Sequence, residues 1–344
     1  MRVLLKRALM LISFFCVFLP MSFAGGSSES KNIGKTVRVR QHVISGKPDN
    51  PRENRNFDVC LIATGDASIN NRVENENDLG LSGLAFLSEN ARRVNPNTLL
   101  LDAGNFAYGI GLYDDSSQDS ASSSYYAVSL AKKLGYNAMN IGRYDMSYGG
   151  KILMNISDDA SISSEQSKEQ VFFVSQNVKA GDNITDKFKI FNVNGFKIAV
   201  IGVTWNVKAE DNSESMFDLT AEIDFKNLQI DINSLDKVVD YIVLLSNMRT
   251  DDEMTRMYPS IQMLMENIKN VDLIVNCDPT IRGKCQDVVK DIEENDVPMV
   301  MPGSGFSDAM MVRFHVVQGS QIGDISVKRV CKDTLRSDDL YSRF

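Results

Sequence analysis

The 344-residue chain has only two histidines, His42 and His315, and they stand far apart. Histidine is the commonest metal ligand and general base, so this scarcity limits both chemistries. Five cysteines occur, but no Cys-x-x-Cys pair, and two histidines at this spacing do not complete a structural zinc site. There is no Gly-x-Ser-x-Gly elbow and no histidine placed for a nucleophilic triad. Cations are also in deficit: 37 Lys and Arg against 45 Asp and Glu give a net charge of −8. That argues against a nucleic-acid polymer as partner, because phosphate-backbone binding needs local cation excess. What is present is ordinary for a packed globular protein: 43% hydrophobic and 24% charged residues, which excludes a disordered chain, a collagen and a coiled-coil rod.

The N-terminus reads as an export signal spanning residues 1–24. Arg2, Lys6 and Arg7 precede the apolar run Ala8 to Leu19, and Ser22-Phe23-Ala24 supplies small residues for cleavage. The run is short for a transmembrane helix, so cleavage is expected to leave no membrane-spanning segment; an uncleaved anchor is the alternative. Lipid attachment at Cys16 would need small residues before it, which Ser13-Phe14-Phe15 does not supply. Cleavage takes three positive charges from the net −8, giving −11. The expected location is periplasmic or extracellular, where disulfides are permitted. Cys277 and Cys285 are close enough in sequence to close a small loop and are the expected pair. Cys60 reads as a small buried hydrophobe on a strand.

Residues 25–56, rich in Gly, Ser, Lys, Arg, Asn and Pro, read as a flexible leader with one short strand over Thr36 to Val43. A single domain is expected over residues 57–330, with a tail over 331–344. Short apolar runs at Phe57 to Ala63, Thr98 to Leu101, Ala138 to Ile141, Val171 to Ser175, the end of Lys237 to Leu245, and Val271 to Val275 read as buried strands. Most deliver a polar loop. Leu81 to Val94 has helical spacing, as does Ser120 to Leu134, closed by Gly135. Asp251 to Ile268 also reads as a helix. Asn194-Gly195 between two apolar runs is a hairpin signal. Val297 to Met301, Ala309 to Val317 and Ile322 to Val330 are expected as closing antiparallel strands. Ser116 to Ser124 and Ser157 to Ser167 read as polar insertions. Gly303-Ser304-Gly305 follows a strand but precedes another strand, so a dinucleotide-loop reading fails. The fold class is α/β, with ligands expected beyond the carboxyl ends of the strands.

The order of these loops carries a resemblance. Ser82-Gly83-Leu84-Ala85, then Asn95-Pro96-Asn97-Thr98 leading to Leu101-Asp102-Ala103-Gly104, come first. Leu134-Gly135-Tyr136-Asn137-Ala138-Met139-Asn140-Ile141-Gly142, the hairpin Asn194 to Val203, and Val271-Asp272-Leu273-Ile274-Val275 follow. From about Phe57 to Val330 the chain resembles the metallophosphatase domain of the 5′-nucleotidase family, among the calcineurin-like phosphoesterases. The resemblance implies an αββα sandwich of two mixed sheets flanked by helices. It also implies a cleft built from five loops that hold two metal ions, which polarise a phosphoryl group and generate a hydroxide.

Measured against that pattern, the loops are altered. Where the family carries Asp-x-His, the chain has Asp66-Ala67-Ser68; where it carries Gly-Asp, Gly104-Asn105. Gly-Asn-His-Glu becomes Gly142-Arg143-Tyr144-Asp145, Ser-His becomes Ser246-Asn247, and Gly-His-x-His becomes Cys277-Asp278-Pro279-Thr280. Of seven ligand positions only Asp66 is kept, and neither histidine lies on a matching loop. The resemblance therefore implies a binding cleft of Asp66, Ser68, Asn105, Arg143, Asn247, Asp278 and Thr280, with no catalytic residue at Tyr144 or Asp145. No cofactor is expected. The first reading is an exported protein without enzymatic activity that binds an envelope or extracellular protein or a small anion. A second is an active phosphoesterase with an oxygen-rich cage of Asp66, Asn105, Asp145, Asn247 and Asp278, suited to Mg²⁺, Mn²⁺ or Ca²⁺. A third is a structural envelope protein. Complete secreted members carry a further C-terminal domain that clamps the base, and this chain ends about where it would begin. Arg143 is expected to pair with Asp66 or Asp278 in place of a metal, the alternative being a solvent-facing loop residue.

Overall fold

The computed structural model describes residues 31–33, 56–67, 75–106, 120–148, 153, 170–180, 182–183, 185–205, 207–208, 219–250, 259–278, 284–317 and 321–341. In chain order its strands are β1 (Lys31–Ile33), β2 (Phe57–Thr64), β3 (Thr98–Asp102), β4 (Ala138–Asn140), β5 (Phe172–Val174), β6 (Val178–Ala180), β7 (Asp182–Asn183), β8 (Phe188–Val193) and β9 (Phe196–Thr204). Then come β10 (Val207–Lys208), β11 (Leu219–Ala221), β12 (Tyr241–Asn247), β13 (Leu273–Asn276), β14 (Lys284–Lys290), β15 (Asp296–Met301), β16 (Ala309–Val317) and β17 (Gln321–Val330). The helices are α1 (Gly80–Val94), α2 (Ser120–Leu134), α3 (Phe225–Asp236), α4 (Ile261–Met265) and α5 (Asp338–Tyr341).

Two mixed sheets face each other. One has seven strands in the order β1-β17-β16-β2-β3-β4-β5, the other six in the order β14-β15-β13-β12-β9-β8. A small sheet, β10-β11-β6-β7, is hydrogen-bonded separately but packs Val178, Leu219 and Ala221 into the cluster that holds Ile62, Leu100 and Phe173 of the first sheet. The alternation of side chains along each strand explains the layers. In β2, Cys60 and Ile62 join the cluster that contains Leu84, Leu87 and Ala91 of α1, while Val59, Leu61 and Ala63 turn the other way. In β12, Tyr241, Val243 and Leu245 meet that second set, and Ile242 and Leu244 pack with Leu228 and Ile232 of α3. Both faces of each sheet are thus covered, which is why the strands read as continuous apolar runs rather than as alternating ones. The result is an αββα sandwich, the expected fold class.

Local chemistry sets the connections. Asn194 and Gly195 have φ of 51° and 92°, the left-handed pair that a two-residue hairpin needs. Gly135 closes α2 at φ 77°, and its N–H donates to Lys132 O. Arg92 of α1 reaches across to the Leu134 and Gly135 carbonyls, capping α2 from outside.

Several expectations need correction. The helix expected over Asp251 to Ile268 is described only as Ile261–Met265. Ser260, extended at ψ 167°, caps it by accepting from Met263 N–H, and residues 251–258 lie outside the described residues. Val297 to Met301 belongs not to the closing hairpin but to the second sheet, parallel to β13 and antiparallel to β14, a strand not anticipated. Only β16 and β17 form the antiparallel closure. Lys31–Ile33, inside the stretch read as leader, pairs with β17. Leu335 and Leu340, in the stretch read as tail, are buried against the α1 side. The signal segment 1–24, the strand expected at Thr36 to Val43, His42 and the insertion at Ser157 to Ser167 lie outside the described residues. Among the described residues no helix is long and apolar enough to cross a membrane.

Candidate functional site

Six strands end at one rim: β2, β3 and β4 from the first sheet and β9, β12 and β13 from the second. The loops they deliver interlock. Asp66 N–H donates to Gly104 O at 2.8 Å, and Asp66 O accepts from Gly305 N–H at 2.8 Å. Trp205 N–H donates to Asn247 O, and Cys277 N–H to Ser246 O.

Five of the expected cleft residues are described, and all five lie on these loops. Asp66, Asn105, Asn247 and Asp278 are buried, whereas Arg143 is exposed. Ser68 and Thr280 lie outside the described residues. Asp66 and Asn105 both have left-handed backbones, φ 51° and 64°, a conformation Asp and Asn tolerate better than other side chains.

Asn105 sits at the centre. Its Nδ2 donates to Asp66 Oδ1 at 3.2 Å, and its Oδ1 accepts from Tyr144 N–H at 2.9 Å. Asp145, also buried, accepts two backbone donors on Oδ2, from Asn105 N–H at 2.9 Å and Gly142 N–H at 2.8 Å. Asn247 joins the two sheets: its Oδ1 accepts from Arg143 N–H at 2.8 Å, and its Nδ2 donates to Cys277 O at 3.1 Å. Asp278 Oδ2 accepts from both Thr250 N–H and Thr250 Oγ1, at 2.9 and 3.0 Å. Gly142 is required here, because a Cβ on it would lie 2.1 Å from Asn105 Oδ1.

Arg143 pairs with neither Asp66 nor Asp278. Its guanidinium lies over the Trp205 ring, 4.5 Å from the centroid, and 5.8 Å from that of Tyr144. A guanidinium placed over an indole is attracted by the ring's negative face. The acids expected to hold it are held by Asn105 and Thr250 instead.

Cys277 is a free, buried thiol, so the expected bridge to Cys285 does not form. Its side chain turns inward beneath the first loop: a Cβ on Gly65 would lie 2.9 Å from Cys277 Cβ and 3.2 Å from its Sγ. Burial pushes this thiol well above its ordinary range, with the charges of Asp66 and Asp102 adding to the effect. Cys60 is likewise free and buried, and desolvation raises it to about 12.

Sequence reasoning missed the support beneath the loops. Asp102, fully buried, accepts from Thr64 Oγ1 at 2.7 Å and Gly104 N–H at 2.8 Å. Burial raises its carboxyl to about 7, against the lowering effect of those two donors and with Asp145 and Asp66 adding to the rise. Thr64 Oγ1 also meets Tyr136 OH at 2.6 Å. Trp205 was missed too, although the position was readable: it follows a buried strand at the same rim as the other loops. His315 lies elsewhere, with Nδ1 2.6 Å from Asp58 Oδ1 near the start of β2, the opposite end of the sheet.

No known protein family's profile matches the sequence, and no curated protein does. Solved structures do match. A 5′-nucleotidase precursor from Thermus thermophilus is 16% identical over 80% of this chain and 54% of its own, with a TM-score of 0.58. The NAD nucleotidase of Haemophilus influenzae is 15% identical over 78% and 55%, at 0.57. A calcineurin-like phosphoesterase from Bacillus subtilis is 18% identical over 80% and 91%, at 0.56. The chain thus spans a little over half the length of the two nucleotidases. At such identities the likeness is one of architecture: the chain has the metallophosphatase-like fold of these structures.

Proposed function

We propose that the chain is an exported binding protein on a metallophosphatase-like fold, in which a hydrogen-bond lattice stands where related folds carry two metal ions. The observation that carries this is the orientation of Asn105. It points an N–H donor, not an oxygen, at Asp66, the one unchanged ligand position. A bridging carboxylate would present oxygen to both ions; this amide presents hydrogen to a carboxylate.

The remaining donor set does not fit a pair of divalent ions either. Oδ1 of Asn105 and of Asn247 each accept a backbone N–H, and Oδ2 of Asp145 and of Asp278 each accept two donors. Cys277 fills the floor beneath Gly65. Among the described residues no group of three or more His, Cys, Asp or Glu is arranged to hold a metal. Export rests on the N-terminal sequence pattern alone. The test is elemental analysis of the purified chain together with a hydrolysis screen on phosphomonoesters, phosphodiesters and nucleotides. The expected outcome is no stoichiometric metal and no turnover above the buffer rate. One or two ions per chain, with turnover abolished by a chelator, would overturn the reading.

A further inference from the structure

Among the described residues of the rim, the cation Arg143 stands outside this lattice. Each acid of the rim accepts at least one donor: Asp66 on Oδ1 from Asn105, Asp145 on Oδ2 from the Asn105 and Gly142 N–H groups, Asp278 on Oδ2 from Thr250. Arg143 is exposed, and among the described residues its guanidinium has ring contacts but no hydrogen-bond or ion-pair acceptor.

It is nevertheless held. Its backbone N–H is fixed to Asn247 Oδ1 at 2.8 Å, and its guanidinium rests 4.5 Å from the centroid of Trp205, which is itself only 7% exposed. The ring contact uses no N–H acceptor, so among the described residues the donors of the guanidinium remain available. Two parallel N–H groups of such a fork match two oxygens of a carboxylate or phosphoryl group. Because the side chain is already ordered, little rotamer freedom is left to lose on binding. The position, beyond the carboxyl ends of strands from both sheets, is where α/β sheets take ligands.

We propose that Arg143, seated on Trp205, is the anchoring residue of an oxyanion-binding site. The site takes the carboxylate or phosphoryl group of a ligand through the in-plane N–H donors. This rests on the reading that the rim holds no metal, since ions there would themselves take the anion.

Trp205 is the chain's single tryptophan, so its fluorescence reports this site alone. The full chain is titrated in EDTA with inorganic phosphate and, separately, with succinate, at constant ionic strength set by sodium chloride. A saturable change in Trp205 emission with one or both is expected, and the arm that saturates identifies the oxyanion. Arg143→Met should abolish the change. Arg143→Lys, which keeps the charge but not the fork, should weaken it about tenfold or more. Should the Met variant fail to fold, the Lys variant decides. No saturable change with either anion, or an unaltered titration in the substituted chain, overturns the proposal. Metal analysis of the purified chain before any EDTA is added separates the two failures. A metal-free chain that ignores both anions sinks this inference alone, whereas bound ions sink the reading beneath it.

Discussion

At the scale of single residues, the rim shows how buried acids are supplied with donors by the chain itself. Each buried acid receives donors: Asp145 two backbone N–H groups, Asp102 a hydroxyl and a backbone N–H. Asp102 remains costly to ionise, because full burial raises its carboxyl to about 7 from an ordinary 3.8. Between those two pH values the folded chain binds the proton more tightly than the unfolded one. The corresponding stability is fully present below about pH 4 and is lost as pH rises through about 7. At 1.36 kcal/mol per pKa unit, the loss amounts to about 4 kcal/mol. Replacing Asp102 with Asn keeps the shape and removes the titration; the Thr64 hydroxyl can turn to accept from the new amide. Denaturant melts of both chains at pH 5 and pH 8 should show the wild-type chain losing stability relative to Asp102→Asn. Parallel pH profiles would mean that Asp102 is ionised over this range in the folded chain as in the unfolded one, which would overturn the raised value.

Elements are where the sequence speaks most clearly, and where its silence has a physical cause. Apolar runs such as Thr98 to Leu101 declared strands, because both faces of the sheet are covered, and Asn194-Gly195 declared its hairpin. The small sheet β10-β11-β6-β7 escaped, since strands of two or three residues have no period to count. β14 escaped because Lys284 to Lys290 mixes charged and apolar residues at an edge. The rim loops could be placed in order from sequence, but the direction of Arg143 could not. Its ring partner Trp205 follows β9, a strand of the other sheet, and only folding brings the two together. The orientation of the Asn105 amide is likewise a property of the folded loops. Those loops interlock so tightly that one glycine can be tested as their joint. A methyl on Gly142 would lie 2.1 Å from Asn105 Oδ1 and 2.2 Å from Asn105 N, whereas one on Gly323 meets nothing nearer than 3.5 Å. Gly142→Ala must displace the Asn105 loop and strain the Asp145 clamp. A loss of about 3 kcal/mol or more is expected by urea unfolding. Gly323→Ala serves as the control and should stay within about 0.5 kcal/mol of wild type. Equal stabilities of the two variants would show that the loop moves freely.

At the scale of the whole molecule, the question is whether the two sheets behave as one cooperative unit. Their inner faces share one apolar layer: Val59, Leu61, Leu101 and Phe314 from the first sheet meet Ile198, Val200, Val243 and Val275 from the second. Separating the sheets would expose that layer from both sides. Polar bonds cross the same boundary at the rim. Asn140 of β4, fully buried, donates Nδ2 to Ala103 O at 3.1 Å within its own sheet and to Val203 O at 3.0 Å in the other. Thr204 Oγ1 donates back to Ile141 O. β9 can come this close because Gly202 lacks a side chain; a Cβ there would lie 2.2 Å from Val174 O. Truncating Asn140 to Ala removes the shared donor and leaves buried carbonyls on both sheets without it. At about 1–3 kcal/mol for each unsatisfied group, the expected loss is about 2–4 kcal/mol. If the sheets unfold together, urea titration of Asn140→Ala should show a lower midpoint, an unchanged slope, and one transition seen alike by Trp205 emission and far-ultraviolet circular dichroism. Two transitions, with the Trp205 signal preceding the loss of secondary structure, would assign the sheets to independently stable halves and make the rim a boundary between domains.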